Sequence, residues 1–445
     1  MKAFSGATAL GLLLLGVTTQ SASAACQLNS SGGKVKRVVN IVFDNVHLRR
    51  DNPNVPSHME QMPNLFNFLH DNGVISGNHH DPLISHTAHD IDTALTGVYG
   101  DRNGIPVANS YGYFKPDGSV GFNSSFLYWT AVAADGKPQM LDEFGKTAPA
   151  PWVAYTRAGC DVGAFSVANI EFERLPDDMT TFYGAGSTVD TAVRGELASS
   201  DPATQLSQLL ADRAEMKLLH MLTASPARAP TLTMFGNDNY FFETVSKPPA
   251  TACQQQSDCV FVGPSFAWNH GDYQQEITRT WVAIAGPGVQ RLGRDDAVFT
   301  DHADVRPTIV ALLGLKDDYV HEGRVVAEWM QPQALPSGIA KAQANFTELA
   351  TVFKQLDAPV GDLGRASLVW ANKSITGTNQ TYLAYLKQMD GIIQQRQDLA
   401  FKIKNTLHAA AFAGQPVDLG TVDSLGNQAQ DLINKVNTLA EGASN

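Results

Sequence analysis

Between Ser85 and Asp92 the chain sets Ser85, His86, Thr87, His89, Asp90 and Asp92 within eight consecutive positions. Hydroxyls, imidazoles and carboxylates are the side chains that attack electrophilic centres, move protons and ligate metals, and six of them in so short a run is a chemical signal. Thr87 is its centre. Leu83 and Ile84 read as the end of a buried approach, while Ile91, Ala94 and Leu95 recur at helical spacing with Gly97 as the stop. This pattern places the Thr87 hydroxyl at a helix N-terminus, where free backbone N–H groups and the helix dipole favour an anion such as phosphate. Two readings are open at this point: Thr87 is a nucleophile, or Ser85 or Thr87 caps the helix.

The elements that must position these residues belong to a chain of 445 residues, 43% hydrophobic and 17% charged, enough for a large core. Lys2, the apolar run Ala7 to Val17 and the small residues Ala22-Ser23-Ala24 form the charge, core and cleavage pattern of a secretory signal over residues 1–24. An exported, secreted or periplasmic protein is therefore expected, with no later segment long enough to span a bilayer. Four cysteines, Cys26, Cys160, Cys253 and Cys259, suit disulfides in such a compartment; Cys253 and Cys259 could close a short loop, and all three connectivities stay open. A formal net charge of −12, with short basic runs only at 34–37 and 48–50, argues against nucleic acid as the main partner.

Val35 to Phe43 is β-branched and apolar, as in a strand buried on both faces of a parallel sheet, and Asp44 follows at the edge where open α/β sheets bind ligands. A turn-forming role for Asp44 is the alternative. Met62 to His70 reads as a helix with Pro63 in its first turn, and Val74 to His80 as a short extended segment in which at most one of His79 and His80 faces the site. Residues 106–151 read as an excursion over the site. Trp152 to Thr156, Pro230 to Phe235 and Thr280 to Ala285 read as strands, Asp201 to Thr223 as a helix, and His302 to Leu313 as helical from Pro307 onward, stopping at Gly314. The alternation predicts an α/β fold with a mostly parallel sheet covered by helices on both faces. Beyond about Pro336 helical spacing at Ile392, Leu399, Ile403 and Leu407 predicts a C-terminal appendage of two or three helices. The expected organisation is a signal at 1–24, an α/β domain at 25–335 and a helical region at 336–445.

In this order the motifs resemble the alkaline phosphatase superfamily, in particular its phosphodiesterase and nucleotide pyrophosphatase branch and exported bacterial alkaline phosphatase-like proteins. The resemblance rests on the strand ending in Asp44, on Thr87 followed by Thr96-Gly97-Val98-Tyr99 and Asn103-Gly104-Ile105, on Asn269-His270-Gly271-Asp272 leading to Trp281 through Gly288, and on Asp304 through Ile309 with Leu312 to Leu315. It implies an alkaline phosphatase-like fold and an exported phosphoric ester hydrolase acting on a small-molecule phosphoester. It also implies up to two divalent metals, usually zinc, at the carboxyl edge of the sheet. Asp44 would bind one metal, Thr87 would coordinate it and act as nucleophile, and His270 would bind the other. Two metals about 4 Å apart suit such chemistry, since they lower a hydroxyl pKa and stabilise both attacking and leaving oxygens.

The departures are as informative. An Asp and a His four apart on one loop, and an adjacent Asp-His pair after a further strand, are expected and not visible, and the block between about Phe182 and Pro202 looks missing. Asp44, Thr87 and His270 alone cannot hold two cations, which each want four to six ligands. Substitutes are sought among Asp90, Asp238, Asp272, His86, His89 and His302, with Asp90, Asp238 and His302 foremost. His302 reads more readily as a capping or core histidine at a helix start than as a ligand. Two functions remain, a hydrolase with Thr87 as nucleophile and a degenerate, non-catalytic member of the same fold serving as a binding or structural protein. A sulfatase is disfavoured because Ser85-His86-Thr87-Ala88 lacks the Cys/Ser-x-Pro-x-Arg context.

Overall fold

The structure, a computed structural model, describes residues 28–31, 34–43, 46–50, 56–105, 110–114, 117, 120–124, 165–169, 209–223, 229–230, 232–236, 271–317 and 319–443. The four cysteines, the 1–24 segment, Asp44, Asp238, His270 and the expected strand at Trp152 to Thr156 lie outside these residues.

The site is organised by a sheet centred on β2. In chain order the strands are β1 (Val38–Val42), β2 (Gly73–His80), β3 (Ser110–Phe114), β4 (Val120–Ser124), β5 (Phe165–Asn169), β6 (Leu209–Ala211), β7 (Thr233–Phe235), β8 (Arg279–Ala285), β9 (Gly293–Arg294) and β10 (Thr300–Asp301). The central sheet has the order β10-β2-β8, with β9 also pairing β2. β10 and β9 run parallel to β2, and β8 runs antiparallel from Gly73↔Ala285 to His80↔Arg279. The largest described sheet is thus mixed, which corrects the mostly parallel expectation. Its cause is local: the Asp81 N–H donates to the Thr278 carbonyl at 2.8 Å, so the chain enters β8 beside the C-terminal end of β2 and must run back along it. Gly73 permits the closest approach, since a Cβ there would lie 2.0 Å from the Ile284 carbonyl oxygen.

The helices are α1 (Pro63–Asn72), α2 (Thr87–Thr96), α3 (Arg213–Leu218), α4 (Val305–Leu312), α5 (Gln343–Asp357), α6 (Asp362–Ile375), α7 (Asn379–Phe412) and α8 (Asn427–Gly442), and α1 packs against β2, β8 and β9 of this sheet. Pro63 opens α1 at its first position, where its missing N–H costs nothing. Gly97 ends α2 in the left-handed region at φ 71°, its N–H donating to the Thr93 carbonyl at 2.8 Å.

Three sequence expectations need correction. β1 is not buried on both faces: its burial alternates, with Val39 and Ile41 61% and 42% exposed, and among the described residues it pairs with β5, in parallel. Of the helix expected from Asp201 to Thr223, the described part, from Leu209 onward, is instead β6 followed by α3. Leu209 to Ala211 pair with Phe235 to Thr233, and the Asp212 carboxylate caps α3 by accepting the Glu215 N–H at 2.8 Å. The C-terminal region is larger than two or three helices, with α5 to α8 each fourteen residues or longer. Its side chains Phe346, Phe353, Ile392 and Ile403 share one apolar cluster with Val74, Leu83 and Ile91 of the sheet region, so the same core holds both. Among the described residues no helix is long and apolar enough to cross a membrane.

Candidate metal centre

Two strand ends bring the site together. β10 lies parallel to β2 with Thr300 opposite His79 and Asp301 opposite His80, so the next residues of each strand, His302 and Asp81, emerge side by side. His302 then starts a 3-10 turn, His302–Asp304, closed by a capping box in which Asp301 accepts from the Ala303 N–H and Asp304 accepts from the Asp301 N–H, both at 3.0 Å. From Asp81 the chain crosses Leu83 to His86 and enters α2 at Thr87. His86 is the N-cap residue, in extended conformation and making no side-chain cap bond to the helix. Thr87 is therefore the first helical residue, and the cap alternative for it does not hold. Asp90 sits in the first turn, where a carboxylate complements the positive helix end.

These pieces converge. One ligand atom each from Asp81, Asp90 and His302 lies within 4.8 Å of the others, a spacing that fits a metal ion. Ser85 Oγ donates to Asp81 Oδ2 at 2.7 Å and fixes that carboxylate. His302 Nδ1 lies 3.1 Å from the His80 carbonyl and 3.4 Å from Asp81 Oδ1. A carbonyl can only accept, so Nδ1 donates to the His80 carbonyl, a contact that orients the ring. The His302 ring stacks on His79 at 4.8 Å, and His79 Nδ1 is in turn 2.9 Å from Thr300 Oγ1.

Burial disfavours the charged form of three surrounding histidines, His79, His80 and His89. Burial, followed by the neighbouring His302 and His80 rings, holds His79 well below the usual histidine range. Burial pushes His80 down to about 3, and His89 likewise to about 3. His89 faces the interior with Nδ1 3.0 Å from the Ile84 carbonyl, and His80 stacks on Phe299 at 4.3 Å. His89 is thus a core residue of the Ile84 turn and not part of the cluster. Asp272 is engaged locally, accepting from the Tyr273 N–H at 2.7 Å.

Thr87, Asp81, Ser85, Asp90, His79 and His302 line one end of a cavity of about 610 Å³. Its remaining walls are largely apolar, among them Val38, Leu65, Phe68, Trp281, Ile284 and Leu312. A cavity of this size accommodates a small organic ligand.

Of the six residues singled out from sequence, the structure brings Thr87, Asp90 and His302 to one place, whereas Asp44, Asp238 and His270 lie outside the described residues. Asp81 was missed as a ligand. The signal that could have found it is the one applied to Asp44: a carboxylate immediately after a strand, at the edge where parallel neighbours also end. The fourth motif proves structural. Arg306, fully buried, donates from Nε and Nη2 to both oxygens of Asp317 at 2.8 and 2.6 Å and from Nη1 to the Leu95 carbonyl at 3.2 Å, tying α4 to the end of α2.

No protein-family model and no curated protein matches the chain.

Proposed function

We propose that this chain is an exported, metal-dependent phosphoric ester hydrolase that acts on small-molecule phosphoesters through Thr87. The observation that supports this most is the convergence of Asp81, Asp90 and His302 within 4.8 Å at the cavity end where Thr87 opens α2. Two carboxylates and an imidazole are a donor set for zinc or a similar cation, and three protein ligands with a position left open is the pattern of catalytic rather than structural zinc sites. A bound divalent cation would lower the hydroxyl pKa of Thr87 and offset the negative charge of the site toward phosphate.

The chain's own residues supply the rest. The N-terminus of α2 lies beside this cluster, and the helix dipole favours an anion there. Thr87 Oγ1 attacks phosphorus, the ester P–O bond breaks, and the leaving oxygen takes the electron pair and, through solvent, the proton given up by the Thr87 hydroxyl, so that the alcohol departs. Water then attacks the phosphothreonine, releasing phosphate and restoring the hydroxyl. Ser85 and the His80 carbonyl hold Asp81 and His302 in place. The apolar walls formed by Leu65, Phe68 and Trp281 favour esters whose alcohol is aromatic or aliphatic.

A second reading draws on the same charges. Without a cation, Asp81 and Asp90 repel a phosphate, so a chain that takes up no metal is the non-catalytic member of this fold, serving as a binding or structural protein. Hydrolysis of an aryl phosphate monoester and diester, measured for wild type and Thr87→Ala with zinc or manganese added, separates the two. The hydrolase reading expects metal-dependent turnover that Thr87→Ala removes; turnover absent under every metal would establish the second reading.

A further inference from the structure

Lys354 lies on α5 in the C-terminal region and is completely buried. Its ammonium has three donors and meets three acceptors: Asp301 Oδ2 at 2.7 Å, Asp304 Oδ1 at 3.2 Å and the Tyr99 hydroxyl at 3.0 Å. Asp301 and Asp304 are the two residues that bracket the His302 turn and form its capping box. Tyr99 follows the Gly97 stop of α2, and its hydroxyl donates to Asp301 Oδ2 at 2.6 Å. One cation thus joins three elements: α5, the turn that carries His302, and the chain leaving the helix that carries Thr87 and Asp90. Arg324 closes the far side, its backbone N–H donating to Asp304 Oδ1 at 2.7 Å.

The charge balance gives this a purpose. Two carboxylates separated by a single turn, 1% exposed each, repel one another and lack water to solvate them. Without the Lys354 ammonium between them the two carboxylates push apart, which opens the turn and releases the capping box that aims His302. Lys354 does not itself line the cavity.

We infer that Lys354 is a positioning residue: from the C-terminal helices it locks the Asp301–Asp304 turn, and so fixes His302 against Asp81 and Asp90 for cation binding. The inference rests on the cation reading of that cluster, and makes the helical region a working part of the site.

Cobalt(II) titration of the full-length chain tests this, because the ligand-field spectrum reports the geometry of the ligands. Four proteins are compared: wild type, Lys354→Met, Tyr99→Phe and Arg396→Met. The last removes a buried cation that pairs with Asp357 at 2.8 Å and touches neither aspartate of the turn, so it controls for general loss of stability. Lys354→Met should bind cobalt at least tenfold more weakly than wild type, with a shifted and weakened visible band. Tyr99→Phe should show a smaller change in the same direction, and decides the matter if Lys354→Met does not fold. Arg396→Met should unfold at lower temperature with cobalt affinity and spectrum unchanged. Wild-type affinity and spectrum in Lys354→Met, or in Tyr99→Phe where only that variant folds, overturn the inference while leaving the cation site intact. A folded wild type that takes up no cobalt overturns the cation reading itself, and the inference with it.

Discussion

His302 Nδ1 stands 3.4 Å from Asp81 Oδ1, although the two residues come from distant parts of the chain. The contact follows from strand register: β10 and β2 are parallel and end together, so whatever follows Asp301 must meet whatever follows His80. Parallel pairing is what turns two unremarkable strand ends into a shared polar edge.

From this relationship the ligand variants follow. His302→Ala and Asp90→Asn each remove one of three donors, so each should weaken zinc or manganese binding at least about tenfold, by comparison with the loss that even an outer-shell change causes. Calorimetric titration checks this, with circular dichroism confirming the fold. A His302→Ala protein that binds as tightly as wild type would place the cation elsewhere.

Thr87→Ala should lower turnover by about a thousandfold or more, since it deletes the attacking oxygen, and Thr87→Ser should retain a measurable part of the rate. Cation affinity should change much less than rate in Thr87→Ala, because Asp81, Asp90 and His302 remain. Equal losses of rate and cation binding would make Thr87 a ligand whose role is not nucleophilic.

A pH dependence of stability follows from His220, which lies behind the site and stacks on Tyr99 at 4.6 Å. Burial disfavours its charged form, but Asp101 at 2.8 Å, aided by Asp357 at 3.5 Å, outweighs burial and the opposing Arg396, and raises His220 to about 9. The folded state therefore holds this proton up to about pH 9, whereas an unfolded histidine loses it near 6.5. The stabilisation is fully present below pH 6.5 and is lost as pH rises through 9, a contribution on the order of a few kcal/mol. Urea midpoints between pH 6.5 and 9.5 should fall more steeply for wild type than for His220→Gln. Parallel curves would mean that His220 is neutral in the fold.

Arg306→Ala leaves the Asp317 carboxylate, buried against it, with the His321 ring at 2.5 Å as its neighbour. Breaking such a pair costs roughly 3–5 kcal/mol, and Arg306→Lys should recover part of that because an ammonium cannot match the two-pronged contact. Thermal unfolding of the three proteins reads this directly; a loss under about 1 kcal/mol would show the pair to be solvated.

How much of this was legible in the sequence depends on distance along the chain. The helix from Thr87 to Thr96 was readable because its apolar spacing and Gly97 are local, and α1 was readable from Pro63 for the same reason. The strand direction of β8 was not, since it follows from the Thr278–Asp81 contact, which no local pattern encodes. Asp212 defeated the helix expected across Leu209 to Leu222, because a capping carboxylate inside an apolar stripe restarts the chain there. Asp90 and His302 stood out as side-chain types, yet their meeting with Asp81 is a matter of tertiary register. Lys354 left a trace: it continues the four-residue spacing of Phe346 and Ala350 on the buried face of α5, an odd place for an ammonium unless a partner waits.

The central claim is that a divalent cation binds at Asp81, Asp90 and His302 beside Thr87. The most direct measurement is zinc stoichiometry by elemental analysis of the dialysed full-length protein, wild type beside an Asp90→Asn/His302→Ala double variant. The account predicts that the variant, still folded, carries about one zinc per chain fewer than wild type. Equal zinc in both proteins, or none in folded wild type after zinc is supplied, would contradict it.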